Sequence, residues 1–583
     1  MLINRKSLQH KAFQWKEALN TNLARPDAQW QPALLGLIVG ILSGSVIIAF
    51  RFLAELGQAT LLPNAIPENY EELKWPLILL LPIISGLMIG VLFTFFWPNK
   101  KVVGIIHVME RLAYFQGHLG WPGFIKQFLG ATLATIGGHS IGREGPSIHL
   151  GAASGSLLGQ YLKLPNNTLR TLIACGCASG IAASFNTPLA GVIFAMEVVI
   201  MEYSVTGFIP VILAAVSATG LSILAFGNEP VFSIPTLELT SLKELPFVAL
   251  LGLLTGLFST LFIKSMEVTA TRSREWSFLV RATLASIIVA LCGLAFPQVM
   301  GIGYDSVNSA MLSEFSLSLL AGILFVKLIA TTAAVGLGIP GGLIGPTLFI
   351  GAMLGGSVGY ISGLSFPEFI SDSGVYALLG MGAMMAATLQ APLAALIAIL
   401  ELTGNPSIIF PGMLAIVIAE LTRSELFHQP SIFRALLQAR GLDYQANPMS
   451  QLLHRIGVAS VMSKNYVPLP LTITQKEAQE ALKQEPQWLL LENEGIPEAA
   501  MPAVDLARHL KEQATGKEIN LKEIPAQRRE LVGIHMRSTL KEASDQMRKA
   551  GIDFLFVYDT PAPTFTRTRG VLLKEAIESA YQF

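Results

Sequence analysis

The chain has 583 residues, of which 52% are apolar and only 14% charged, with a mean hydropathy of +0.54. Soluble globular chains carry about a quarter charged residues, so this composition excludes a secreted, fibrous, disordered or wholly cytosolic protein and describes one large lipid-buried body. Lys plus Arg balance Asp plus Glu at 40 each, and no basic field recommends nucleic acid as a partner.

Residues 1–31 form a basic amphipathic segment without the apolar core or small-residue cleavage site of a signal peptide. Arg5, Lys6, Lys11, Lys16 and Arg25 place it on the cytoplasmic side by the positive-inside tendency, as a surface helix. Residues 32–445 hold apolar segments in close succession, at 32–57, 76–97, 123–160, 167–202, 207–226, 245–264, 280–300, 317–364, 375–403 and 407–422. In lipid the backbone must satisfy its own polar groups, so these are helices. Several contain Gly and Pro, which predicts helices broken where protein or a wet cavity takes over the freed backbone groups. The three cysteines, Cys175, Cys177 and Cys292, sit in apolar runs as packing residues and make neither a disulfide framework nor a metal set. From 446 to 583 the texture becomes charged and mixed, the mark of an α/β unit. Val461 to Leu506 and Leu531 to Ile577 share an order of strand, charged helix, strand and closing helix, which predicts a tandem pair of modules.

The membrane segments contain an internal repeat, with halves at about 32–227 and 240–445. GREGPSIHLGA, from Gly142 to Ala152, aligns without a gap on GLIGPTLFIGA, from Gly342 to Ala352. Downstream, ASFNTPLAGVIFAME ending at Glu197 aligns on ATLQAPLAALIAILE ending at Glu401, and upstream Lys126 and Lys327 precede Gly142 and Gly342 by 16 and 15 residues. Shared Gly, Pro, Lys and Glu in one order exceed what apolar composition produces. Duplicated halves with matching interruptions point to a transporter whose site lies at the repeat interface near mid-membrane.

In each copy a Gly-rich stretch leads through Gly-Pro into a helix, so Pro146 and Pro346 fall in a first turn where a missing N–H is no loss. The remaining N–H groups and the positive helix ends suit an anion. They hold it without a full positive charge, which lets it leave again. Arg143 and Glu144 have Leu343 and Ile344 as counterparts. An ionisable residue inside a membrane segment is a functional candidate: a carboxylate at a helix start competes for the anion site until it is protonated or swings away. Glu144 is therefore a candidate gate and proton carrier; the competing reading has it pair with Arg143 or cap a helix. Lys126 and Lys327 either raise the potential of the vestibules or snorkel to an interface. Glu197 and Glu401 read as a symmetric structural pair, and His107, His139 and His149 as packing or pore-lining residues rather than metal ligands. No nucleophile with a base, carboxylate dyad or phosphate loop recommends an enzyme.

On these residues the chain resembles the CLC family of chloride channels and proton-coupled chloride transporters from about residue 30 to 440. Gly142-Arg143-Glu144-Gly145-Pro146 is identical to the family's GREGP, Phe185 to Gly191 is similar to its FNAPLAG, and Gly341 to Pro346 resembles its GGxFxP, with Ile344 in place of Phe. The resemblance implies an all-α polytopic membrane fold with an inverted repeat of broken helices, a complete pathway in each subunit, a homodimer and cytoplasmic termini; the lean N-terminus and short loops lead us to expect a prokaryotic inner membrane. The anion, most simply chloride, would be held around Val103, Gly104, Arg143, Glu144, Gly145, Leu343, Ile344, Gly345 and Phe433, with Glu144 as the gate on the extracellular side. The C-terminal pair resembles CBS modules, beginning near Val458 to Met462 and near Leu531 to Leu540. Adenine nucleotide is disfavoured there: Pro502, Leu573 and Ala576 stand where hydroxyl or acid groups hold a ribose, leaving Asp505 alone, so a structural or dimerising role is expected and no cofactor.

Three departures qualify the family mechanism. The serine of GSGIP falls on Val103 and the inner tyrosine on Phe433, so two hydroxyls are missing. A hydrogen bond to a charged group contributes roughly 1.5 to 3 kcal/mol, so the central site should bind its anion more weakly. The inner proton-relay glutamate falls on Val198, with Glu197 next door about 100° around the helix. Passive conduction is therefore expected ahead of proton-coupled exchange, which needs another proton route, through water or Glu197. A fluoride exporter fits less well, because the Val103 neighbourhood lacks the methionine seen in those proteins.

Overall fold

The computed structural model describes residues 23, 30–97, 103–203, 205–228, 231–232, 238–368, 370–442, 448–493, 495–512, 518–562 and 565–580. The basic segment expected over 1–31 falls almost wholly outside the described residues. Two compact units result, a larger one of Gln29–Leu162 and Arg170–Gln445 and a smaller one built around Ala446–Phe583.

The first half of the larger unit runs through α1 (Trp30–Leu61), α2 (Trp75–Phe96), α3 (Ile105–Tyr114), α4 (Trp121–Ile136), α5 (Glu144–Leu162), α6 (Asn166–Phe185), α7 (Pro188–Phe194) and α8 (Val205–Phe226). The second half contains α9 (Leu245–Arg272), α10 (Phe278–Ala295), α11 (Tyr304–Met311), α12 (Leu317–Gly336), α13 (Ile344–Ser365), α14 (Ser373–Leu389), α15 (Pro392–Thr403), α16 (Ile409–Leu421) and α17 (Ile432–Gln438). Among the described residues, nine helices are long and apolar enough to cross a membrane. On α9, Val248, Leu251, Thr255, Ser259, Phe262 and Met266 are buried at three- and four-residue spacing, while Leu250, Leu253, Leu257 and Leu261 face outward. A helix apolar on all sides is one solvated by lipid.

The interruptions fall between α4 and α5, α6 and α7, α12 and α13, and α14 and α15. They are the same structure built twice. The amides of Gly137, Gly138 and His139 donate to the carbonyls of Leu133, Thr135 and Ala134, and those of Leu337, Gly338 and Ile339 to Ala333, Val335 and Ala334. Gly138 and Gly338 both take positive φ, at 68° and 103°, where a side chain is strained. Close packing repeats as well: a Cβ on Gly151 would lie 2.0 Å from the Gly176 carbonyl oxygen, and one on Gly351 2.2 Å from that of Gly380. Small residues let α5 approach α6, and α13 approach α14, backbone to backbone.

The smaller unit starts with α18 (Pro448–Arg455) and α19 (Val458–Val461). Its first module contains β1 (Tyr466–Pro470), β2 (Thr472–Thr474), α20 (Gln475–Leu482), β3 (Trp488–Asn493), β4 (Ile496–Pro502) and α21 (Ala503–Glu512), followed by β5 (Glu518–Asn520) and β6 (Arg529–Glu530). The second contains β7 (Val532–His535), α22 (Leu540–Ala550), β8 (Phe554–Ala562), β9 (Phe565–Leu573) and α23 (Lys574–Ser579). In both, the first strand pairs in parallel with the strand after the helix, which pairs antiparallel with the next: β1 with β3 and β3 with β4, then β7 with β8 and β8 with β9. The antiparallel strands β4 and β9 are additional to the expected order. Both module helices start on a threonine that caps a glutamate amide, Thr474 on Glu477 and Thr539 on Glu542. Strand β3 shows the two-residue period of a sheet: Leu489 and Leu491 pack on helices of their own module, and Trp488 and Leu490 meet Phe554 and Val571 of the other.

Candidate functional site

The two Gly-rich lead-ins cross. The amide of Gly142 donates to the Gly342 carbonyl at 2.9 Å, and the Gly342 amide donates back at 2.7 Å. This reciprocal antiparallel contact between equivalent residues is what an inverted repeat predicts at its axis. The approach requires glycine, since a Cβ on Gly342 would lie 2.5 Å from the Gly145 nitrogen and one on Gly145 would lie 2.6 Å from the Gly342 Cα. The crossing sets the start of α5 beside the start of α13, where the first amides of each helix have no partner within their own helix.

The Glu144 carboxylate lies between these starts and is fully buried. Its Oε2 accepts from the Gly345 amide at 3.3 Å, and its Oε1 accepts from the Tyr304 hydroxyl at 2.5 Å. Arg143 turns elsewhere: Nη2 donates to the Ser184 carbonyl at 3.0 Å, and Nη1 lies 3.7 Å from the Glu55 carboxylate, which also meets Arg51. Of the two competing readings, the pairing with Arg143 is not adopted, whereas the carboxylate does accept from a first-turn amide of α13, as a helix cap does.

Tyr304 carries no sequence signature, yet its position is heavily determined. It opens α11 directly after Gly303, whose φ is 80°, and its ring lies against Phe185 and Phe232, with centroids 5.9 and 5.7 Å away. The preceding loop is tied down by Lys327, whose Nζ donates to the carbonyls of Val299, Gly301 and Ile302 at 3.1, 3.0 and 3.2 Å, and by Glu68, which accepts from the Ile302 amide at 2.8 Å. Lys327 thus neither lines a vestibule nor snorkels. It is buried because three carbonyl oxygens replace its water. Lys126 is buried too, with its ammonium 4.2 Å from the Phe93 ring centroid.

On the other side of the crossing, a cavity of about 430 Å³ brings together Val103, Gly104, Gly145, Leu343 and Phe433. Arg274, Arg281 and Arg440 also line it, against Glu110 as the one acid among its lining residues. These arginines come from the turn after α9, from α10 and from the end of the larger unit, and only their shared charge hinted at them in the sequence. The expected set therefore divides: Glu144 and Gly345 lie together with Arg143 nearby, Val103, Gly104, Gly145, Leu343 and Phe433 face the cavity, and Ile344 is buried at the start of α13.

Val198 is buried in a π-helical turn, Ala195–Ile200. In the same turn, Glu197 accepts from the amides of Leu393 and Ala394 at 3.3 and 2.8 Å, at the start of α15. Glu401 does the same to Leu189 and Ala190, at 3.0 and 2.7 Å, at the start of α7. Each half thus caps a helix of the other with a carboxylate, where the helix dipole favours negative charge. His107 and His149 hydrogen-bond to each other at 2.9 Å, with the Arg111 Nε 3.1 Å from His107, and His139 meets Ser85 at 3.1 Å. In the smaller unit, Asp505 accepts from the Gln527 amide at 3.2 Å.

Opposed helix starts thus hold a buried carboxylate, and an arginine-lined cavity reaches Gly145 and Leu343 at the same two starts. The sequence model of the voltage gated chloride channel family matches residues 85–424, more than half the chain, and the chain belongs to that family. It is 32% identical over 388 residues to a ClcB-like chloride channel protein of Ralstonia nicotianae, an alignment covering 65% of this chain and 90% of that one. It is 27% identical over 443 residues to the H(+)/Cl(-) exchange transporter ClcA of Vibrio parahaemolyticus, covering 72% and 93%. The crystal structure of a eukaryotic CLC transporter shares its fold, with a TM-score of 0.59 and 18% identity over 94% of this chain and 97% of that one. The protein is therefore a multi-pass membrane protein for CLC-type anion transport, with a C-terminal α/β unit.

Proposed function

We propose that the chain exchanges chloride for protons, as a homodimer in a prokaryotic inner membrane with both termini cytoplasmic. The observation that carries this reading is the position of Glu144, whose carboxylate occupies the donors an anion would use. Protonation removes its charge, weakens both hydrogen bonds and frees the amide at the start of α13. Chloride then takes the place of the carboxylate, and the proton moves with the side chain. Arg274, Arg281 and Arg440 raise the local anion concentration at the cavity, and the amides at Leu343 and Ile344 receive the ion. Several curated relatives, among them the Vibrio protein, are named as H(+)/Cl(-) exchange transporters, which favours exchange over the passive conduction that Val198 suggested. The proton leg bypasses Val198, and the engagement of both Glu197 oxygens as helix caps favours water over Glu197 as the inner route. The C-terminal pair is read as CBS-like, with a structural or dimerising role.

Chloride efflux from proteoliposomes, recorded together with external pH, tests the proposal. Wild-type protein is expected to drive protons uphill as chloride leaves, and E144A to keep chloride flux and lose the proton signal. Chloride movement without a proton signal in the wild type restores the channel reading.

A further inference from the structure

The cavity beside the crossing is lined at Val103 and Phe433 by side chains without a hydroxyl. A hydroxyl nevertheless points at the place the anion must cross, and it comes from outside the repeat motifs. The Tyr304 hydroxyl donates to Glu144 Oε1 at 2.5 Å while the Gly345 amide donates to Oε2 at 3.3 Å, so two donors converge on one small volume. The tyrosine is fixed by its neighbours: Gly303 turns the chain, Phe185 and Phe232 hold the ring, and Lys327 and Glu68 anchor the loop before it. It cannot follow the carboxylate when Glu144 swings away. A buried donor left without an acceptor is costly, and the acceptor that arrives by this route is the transported ion.

We propose that the Tyr304 hydroxyl and the Gly345 amide form a two-donor halide site, held alternately by the Glu144 carboxylate and by the transported anion, and that Tyr304 supplies the hydroxyl selectivity the inner site lacks. A directed O–H donor favours a compact halide over a diffuse anion, which accepts hydrogen bonds weakly. Tyr304 is thus a specificity-determining residue of the pathway as well as a latch on the gate.

The inference rests on the anion path passing Glu144, and the test separates the two. Chloride and thiocyanate binding to the full-length protein are titrated calorimetrically for the wild type, Y304F, E144A and E144A/Y304F. E144A binds chloride more tightly than the wild type, because both donors are vacated. Adding Y304F in that background weakens chloride about tenfold, the worth of one hydrogen bond to a charged group, and weakens thiocyanate less. In the wild-type background Y304F changes apparent chloride affinity little, since the competing carboxylate loses the same donor. Equal weakening in both backgrounds, or none in E144A, overturns the role of Tyr304 and leaves the path standing. An E144A protein that binds chloride no better than the wild type contradicts the path and the site together. Should Y304F not remain monodisperse, bromide anomalous scattering from E144A crystals decides instead: a peak within hydrogen-bonding distance of Tyr304 Oη and Gly345 N supports the site, and bromide only elsewhere overturns it.

Discussion

Two lysines that the halves carry one residue out of register, Lys126 and Lys327, 16 and 15 residues before Gly142 and Gly342, have taken different work. One lies over an aromatic face, and the other gathers three carbonyls into the loop that presents Tyr304. The one-residue offset turns the two side chains about 100° apart around equivalent helices, so they meet different neighbours. The same asymmetry puts Glu144 opposite Ile344, so one helix start carries the carboxylate and the other supplies the amide it leans on. Gly142 offers a test of that arrangement. A Cβ there would lie 2.0 Å from Glu144 Oε2, and the carboxylate, as the end of a flexible side chain, is the group that yields. Gly142→Ala is expected to raise chloride flux at neutral pH about tenfold, the worth of one charge-assisted hydrogen bond, and to lower the protons moved per chloride. Flux and coupling identical to wild type in proteoliposomes contradict the close packing of gate and crossing. Gly142, Glu144 and Gly345 were legible because a local motif carries them. Tyr304 was not, since its partner lies 160 residues away in sequence, and the only local sign is Gly301-Ile302-Gly303, a turn with two glycines at positive φ.

At the scale of elements, the interruptions are the informative part. Asn186 and Gln390, each two residues before a helix-starting proline, both take positive φ, at 56° and 61°, an uncommon conformation for a residue with a side chain. That turn aims α7 and α15 so that Glu401 and Glu197 can cap them across the repeat. Removing one negative charge from such a cap costs about 1 kcal/mol. Glu197→Gln and Glu401→Gln are thus expected to lower the melting temperature of the purified protein by similar amounts and to leave the chloride-to-proton ratio unchanged. If Glu197→Gln alone abolishes proton movement, Glu197 is the inner relay and its capping is incidental. The sequence anticipated where helices break, because Gly and Pro act locally. It missed β4 and β9. Ile496 to Pro502 holds two prolines, two alanines and a glutamate, all poor strand formers, and what makes it a strand is its register on β3, from Trp488 against Pro502 to Asn493 against Ile496.

For the whole molecule, composition alone separated a lipid-embedded body from a charged appendage, because solvation acts on every residue at once. The voltage gated chloride channel family model matches residues 85–424, nearly all of which belong to the larger unit. Whether that machinery couples two ions was not legible, since the position expected to relay protons holds a buried valine while the carboxylate proposed as the gate is present at Glu144. The decisive measurement is uphill chloride accumulation in liposomes that start with equal chloride on both sides and a pH gradient, with membrane voltage clamped to zero by potassium and valinomycin. Exchange predicts that chloride gathers on the side from which protons are drawn by the gradient, against its own concentration difference, and that E144A abolishes this. Chloride that stays level across the membrane while remaining freely permeable contradicts the account.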